Sequence, residues 1–370
     1  MRILILNWRD TKNQWGGGAE QYVHELAKRW VEMGHRVTLF CGQNYLQDLP
    51  TEENVDGIRV VRKGGQYTLY FWAAWYYITR FRNECDIVID AVNGVPFFSP
   101  LYCHKPIVAL QFHVHDMQFF IELPFPMSLV GYIMEKFFFR IFYLRTPIVA
   151  ISETTKRDVA NLGLSEKNTS VVYPAVTKNG NRLINHSTQK KFSRPTLLYL
   201  GKVKRYKRVD MLVRLMPEII KRVPGTKLLI AGWGTFGPYL TDVSMKSLVK
   251  NNIKIVGPVS DKEKWQLMSK SWVCVNPSLH EGWGIPVIEG NIFGTPTVSF
   301  NVPGLSESIK NGQTGFLAET ENEFVDKTVT LLKNTSLRER MSKNCIKWAG
   351  NFDWDKSASQ FLRILQKHVK

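Results

Sequence analysis

The residues best suited to chemistry form one run, Glu281-Gly282-Trp283-Gly284-Ile285-Pro286-Val287-Ile288-Glu289. Two carboxylates bracket a Gly-x-Gly-x-Pro segment that follows the β-rich stretch Trp272–Asn276, and Pro286 suits the first turn of a helix. Glu281 is then expected in the loop and Glu289 about one turn into the helix. The amides of Trp283, Gly284 and Ile285, with the positive helix end behind them, could receive phosphate or sugar oxygens. A loop carboxylate could accept hydrogen bonds from sugar hydroxyls, and the deeper one from ribose hydroxyls.

A second run, Gly201-Lys202-Val203-Lys204-Arg205-Tyr206-Lys207-Arg208, follows the apolar stretch Thr196–Leu200. Its lysines would stand at the carboxyl end of a buried strand, where open α/β sheets bind ligands. Lys202 and Lys207 could neutralise a diphosphate there and stabilise it further as it leaves. A third run, Trp15-Gly16-Gly17-Gly18-Ala19-Glu20, lets backbone N–H groups approach an anion. It lacks the Gly-x-Gly-x-x-Gly dinucleotide spacing, and no acid follows the second strand, where Cys41-Gly42-Gln43-Asn44 stand. A structural turn explains it equally well.

The elements that must position these runs repeat a strand–helix rhythm twice. In the first half, residues 2–7, Val37–Cys41, Asp86–Asp90, Pro106–Leu110 and Pro147–Ile151 read as short buried strands. Between the first two lies a helix with Tyr22, Val23, Leu26, Ala27 and Trp30 on one stripe. The second half restarts with strands at Thr196–Leu200, Lys227–Ala231, Ile253–Val256, Trp272–Asn276 and Thr297–Phe300, and a helix over Arg208–Arg222. Such alternation implies parallel sheets covered on both faces. The expected division is an N-terminal domain over 1–178, a polar linker over 179–194, a second domain over 195–350, and a helix over 351–370 packing back on the first domain.

With 370 residues, 44% hydrophobic and 22% charged, the chain has material for two cores. Its net charge of +17 is uneven. Residues 1–180 carry 19 basic and 17 acidic residues, leaving +2, and residues 181–370 carry 30 and 15, leaving +15. A basic half suits a phosphorylated small molecule, nucleic acid or anionic lipid. Five cysteines without paired spacing fit reduced thiols in the cytosol, and no apolar run reaches the length of a membrane span. The N-terminus reads as a strand rather than a cleavable signal.

These runs together resemble the family 4 glycosyltransferases. The Glu281–Glu289 segment matches that family's E-x7-E signature, and Gly290–Pro296, Pro303–Glu307 and Asn311–Leu317 match its continuation. Ala231-Gly232-Trp233-Gly234 matches its glycine turn after a strand. The resemblance implies two Rossmann-like doubly wound domains facing across a cleft, the GT-B fold, and transfer with retention at the anomeric carbon without metal or cofactor. It also implies that Gly201, Lys202 and Lys207 hold the diphosphate, with Lys202 standing where relatives usually have Arg. A lysine there is a point charge and not a bidentate fork. By the same resemblance Gly17 and Gly18 are the N-terminal glycine pair and Gly232 the small turn. His115-Asp116, within Gln111–Met117, is the His-Asp pair, with His113 a competitor two residues earlier.

On this reading the protein is a hexosyltransferase. The acceptor hydroxyl attacks from the front face while the diphosphate departs. Lys202 and Lys207 stabilise the leaving group, Glu281 positions the sugar, Glu289 binds the ribose, and His115 orients donor or acceptor. The donor is a UDP- or GDP-sugar and the acceptor a glycan or a polyprenol- or lipid-linked glycan. Tyr67–Arg82 and Met117–Arg145 interleave aromatics with Arg and Lys, which makes an anionic membrane surface a further candidate partner, with the protein peripheral on its cytoplasmic face. A nucleotide-sugar-binding subunit without turnover is the rival reading, and retention of both acids and both lysines speaks against it. Nucleic-acid binding is not expected, because the lysines follow phosphate-site spacing rather than an even groove.

Overall fold

A computed structural model describes residues 1–176 and 190–369. The expected linker, 179–194, lies mostly outside the described residues. The remainder of that stretch is anchored rather than free. Lys191 Nζ donates to Ser271 O at 2.8 Å and to Thr295 Oγ1 at 2.9 Å, and Phe192 N donates to Lys270 O.

The chain divides into two compact units, Met1–Ala175 with Trp354–Lys370, and Val176–Asp353. The first unit holds eight strands: β1 (Arg2–Leu6), β2 (Arg36–Cys41), β3 (Glu52–Val55), β4 (Ile58–Arg62), β5 (Ile87–Val92), β6 (Ile107–Gln111), β7 (Ile148–Ala150) and β8 (Thr169–Val171). Their order is β3-β4-β2-β1-β5-β6-β7-β8, parallel except for the β3–β4 hairpin. Every residue of β5 is buried, as a parallel strand flanked on both sides and covered on both faces must be. The helix Gly18–Glu32 lays the expected stripe from Tyr22 to Trp30 on the core.

The helix Trp354–His368 completes this unit. Trp354, Phe361 and Leu365 are buried, Trp30 Nε1 donates to Ala358 O at 3.0 Å, and Tyr22 packs edge-on against Trp354 at 5.6 Å. Ser357 Oγ and Gln360 Nε2 donate to the carbonyls of Tyr173 and Val171.

The second unit holds β9 (Thr196–Leu200), β10 (Lys227–Ala231), β11 (Ile253–Gly257), β12 (Val273–Asn276), β13 (Thr297–Phe300) and β14 (Gly315–Ala318). The order β11-β10-β9-β12-β13-β14 is all parallel, the doubly wound arrangement in which winding reverses beside the first strand. That reversal places the loops after β9 and β12 side by side. The strands read from the sequence recur within one or two residues, because each is a short, mostly apolar run.

Candidate active site

At the reversal point of the second sheet the two runs of charged residues meet. Leu279 N donates to Tyr206 O at 3.0 Å, tying the loop after β12 to the loop after β9. Across that tie Lys207 Nζ lies 2.5 Å from Glu281 Oε1, with both side chains almost wholly buried. The same oxygen accepts from Ser278 Oγ at 2.9 Å and Asn276 Nδ2 at 3.3 Å. Burial penalises the Glu281 charge, but Lys207 and these donors outweigh it and hold the carboxyl below its ordinary range. Burial likewise opposes the ammonium of Lys207, and the Glu281 charge overcomes it, so the lysine titrates above its usual value.

Glu289 sits in the helix Ile285–Ile292, buried, with Lys264 Nζ 2.8 Å from its Oε1. Lys264 comes from the helix Asp261–Lys270 and also reaches Asp261 at 3.1 Å. Burial lowers its pKa, but Glu289 and Asp261 bring it up to about 12.

Glycines bring the surrounding loops into backbone contact. A Cβ on Gly232, whose φ is +124°, would stand 2.0 Å from Gly201 O, and one on Gly304 would stand 2.2 Å from Glu281 O. Gly201 N donates to Ala231 O and Val203 N to Trp233 O, so the loops after β9 and β10 run as one layer. Gly284 adopts φ +84° just before Ile285 opens the helix. Trp283 is buried edge-on against Phe352 at 5.2 Å, which makes its ring core and leaves its backbone for any donor contact. Lys202 is partly buried on the loop after β9, and its carbonyl accepts from Tyr199 Oη at 2.8 Å.

In the first unit the sheet reverses between β1 and β5. The loop after β1 ends at Gly17, whose N–H donates to Glu20 Oε2 at 2.7 Å, so the helix supplies its own anion at that amide. Gly18 begins the helix. The loop after β5 is anchored on buried Asp90, which accepts from Ser99 Oγ at 2.6 Å, from the N–H groups of Phe97 and Ser99 at 3.2 Å, and from the Tyr143 hydroxyl. After β6 come His113, His115 and Asp116. The rings of His113 and His115 stack at 4.0 Å, and Phe119 stacks on His115 at 5.1 Å.

Sequence reasoning named both acids and both lysines, giving Lys207 to the diphosphate and Glu281 to the sugar next to it, and did not foresee that the two side chains pair directly. It missed Lys264, Asn276, Ser278 and Glu135. Asn276 and Ser278 stand within five residues of Glu281 and could have been read as its donors, whereas Lys264 and Glu135 carry no local signal. It also passed over Asp353-Trp354-Asp355, which has an Asp-x-Asp spacing. Asp355 pairs with Arg29 at 2.6 Å and Trp354 is core. Among the described residues no cluster of three or more His, Cys, Asp or Glu is placed to hold a metal.

Two doubly wound α/β units, the second with its acids and lysines paired beside the sheet's reversal point, frame these residues. The family described as "Glycosyl transferases group 1" matches residues 182–348, and "Glycosyltransferase Family 4" matches residues 16–179. The chain belongs to the glycosyltransferases of family 4, GT-B type.

An uncharacterized glycosyltransferase of Methanocaldococcus jannaschii is 24% identical, over 98% of this chain and 97% of its own. The structure of a sucrose-phosphate synthase from Thermosynechococcus elongatus superposes with a TM-score of 0.82 at 15% identity, covering 99% of this chain and 98% of that one. Anabaena Alr3699/HepE in complex with UDP and glucose superposes with a TM-score of 0.76 at 17% identity, covering 99% and 100%.

Proposed function

We propose that the protein transfers a hexosyl group from a nucleotide-diphosphate sugar to a glycan or lipid-linked glycan, with retention at the anomeric carbon. The observation that carries this is the Lys207–Glu281 pair at the reversal point of the second sheet, with Glu289 in the helix that follows. On this reading Lys202 and Lys207 take the charge of the departing diphosphate. Glu281 holds the sugar, Glu289 the ribose, and the amides of Gly284 and Ile285 the sugar or phosphate oxygens. Gly17, Gly18, Gly201 and Gly232 keep side chains out of the ligand's way. His115, with His113 and Asp116 beside it, orients donor or acceptor.

UDP is the favoured nucleotide over GDP, because HepE was crystallised with UDP and glucose at nearly full coverage of the chain. Two measurements test the reading. Saturating UDP should raise the unfolding temperature, by about 2.7 kcal/mol of stabilisation at 100 times Kd, and GDP should do less. Glu281→Ala should cost about 2–4 kcal/mol in kcat/KM for a UDP-hexose. Wild-type turnover in that variant removes Glu281 from the mechanism.

The acceptor side of the proposal includes a membrane surface. Among the described residues no helix is long and apolar enough to cross a membrane. The helix Leu69–Thr79 buries Leu69, Ala73 and Tyr77 and exposes Phe71, Trp75 and Ile78, with Arg80 and Arg82 following. Phe125, Phe137 and Ile141 are also exposed, near Lys136 and Arg140. Aromatics among cations suit an anionic interface. Flotation with anionic liposomes at low salt should carry the protein upward, and a protein left wholly in the soluble fraction sinks this part of the proposal.

A further inference from the structure

Glu135 is the most completely engaged acid near the histidines, and no sequence motif pointed to it. It is buried and lies on Met134–Phe138, a π-helical turn between the helices Met127–Ile133 and Phe139–Tyr143. A π-turn shifts side chains out of the α-helical register and recurs at functional sites. Here both carboxylate oxygens are committed to the loop after β6. Oε1 accepts from His115 N and Oε2 from Asp116 N, each at 2.8 Å. Asp116 is held at φ +44°, a left-handed conformation that a non-glycine residue keeps only when its surroundings insist. Gln111 Nε2 pins the same loop through His113 O at 2.7 Å.

The grip extends to the ring. His115 Nδ1 is buried, makes no hydrogen bond, and stands 3.5 Å from Glu135 Oε1. The ring stacks on His113 and Phe119, and a Cβ on Gly94 would stand 3.4 Å from Cε1 and 3.6 Å from Nε2. The remaining charged groups nearby are Lys136, 3.9 Å from Asp116, and Asp158 of the helix Glu153–Asn161. Burial raises Asp158 to about 6; Arg157 counteracts that and the charges of Asp116 and Glu135 add to it.

We propose that Glu135 is a positioning residue for His115, holding its backbone, keeping the imidazole proton on Nδ1 and leaving Nε2, beside Gly94, as the acceptor offered to sugar or acceptor hydroxyl. This rests on the reading of His115 given above. A carboxylate near one ring nitrogen selects the tautomer of the other.

The test is nitrogen-15 NMR of histidine in the full chain, alongside turnover. In the wild type, neutral His115 should carry its proton on Nδ1. Glu135→Gln should remove that preference and reduce kcat at least about tenfold, with donor KM moving less than about twofold. Glu135→Asp, which keeps the charge, should recover part of both. Adding Glu135→Gln to His115→Asn should cost nothing further.

A wild-type His115 with its proton on Nε2 overturns the proposal even if Glu135→Gln fails to fold. Unchanged resonances and kcat in a folded Glu135→Gln chain overturn it too, as does a full additive loss in the double variant. A wild type that shows the Nδ1–H tautomer but transfers no sugar sinks the glycosyl-transfer reading and leaves the Glu135–His115 coupling standing.

Discussion

The two units share a sheet topology yet use their buried carboxylates differently. In the first unit Glu20, Asp90 and Glu135 all accept from main-chain N–H groups, those of Gly17, of Phe97 and Ser99, and of His115 and Asp116. In the second, Glu281 and Glu289 accept from lysine ammonium groups at 2.5 and 2.8 Å. An amide fixed in a loop cannot leave its carboxylate without the loop moving, but a lysine can swing to a phosphate and return. Glu20, Asp90 and Glu135 therefore set loop shape, while Asp10 of the same unit pairs with the buried guanidinium of Arg62. Glu281 and Glu289 of the second unit each hold a lysine, and under the function proposed above Lys207 is a cation for the diphosphate, in keeping with the +15 of residues 181–370.

This contrast leads to measurable differences, the largest at the ion pair. Lys207→Met should destabilise the second unit by about 3–5 kcal/mol, because Glu281 is left buried and charged. The double variant Lys207→Met/Glu281→Leu should recover most of that in urea unfolding while UDP binding stays lost. Asp90→Ala should cost about 1–3 kcal/mol for each hydrogen-bond donor left buried without a partner, confined to the first unit, with UDP affinity unchanged in calorimetry. Loss of UDP affinity in that variant would erase the division between the units. Glu20→Ala should cost about 1 kcal/mol, the worth of a helix cap.

The smallest effects are in pH. Glu281 has a depressed pKa, so its contribution is present above the unfolded value of 4.5 and is lost as pH falls through its lower folded value. Lys207 is raised, so its contribution is present below 10.5 and lost above. Lys191 runs opposite to Lys207. Burial lowers it to about 8 from 10.5, so the second unit should gain stability between those values. Lys191→Met should flatten that rise in thermal melts.

Local features of the fold were legible in the sequence and long-range ones were not. The strand at Thr196–Leu200 and the helix at Ile285–Ile292 declare themselves through apolar runs, glycines and a proline. The Tyr22–Trp30 stripe does so by its period. The aromatic stretch after Tyr67 was ambiguous, since a helix apolar all round gives no stripe, and only burial separates Ala73 from Phe71. Lys264 reaches Glu289 across 25 residues and Glu135 reaches His115 across 20, and in neither case does spacing announce the contact. Arg62, buried on Asp10 and on Glu53 at 2.6 Å, was invisible for the same reason.

The return of Trp354–His368 to the first unit has a consequence for how the protein is made. Trp30 and Tyr22 find their partners Phe361 and Trp354 more than 300 residues later in translation. The second unit can leave the ribosome and fold while the first still shows an uncovered tryptophan and tyrosine. The half synthesised first is thus the half finished last.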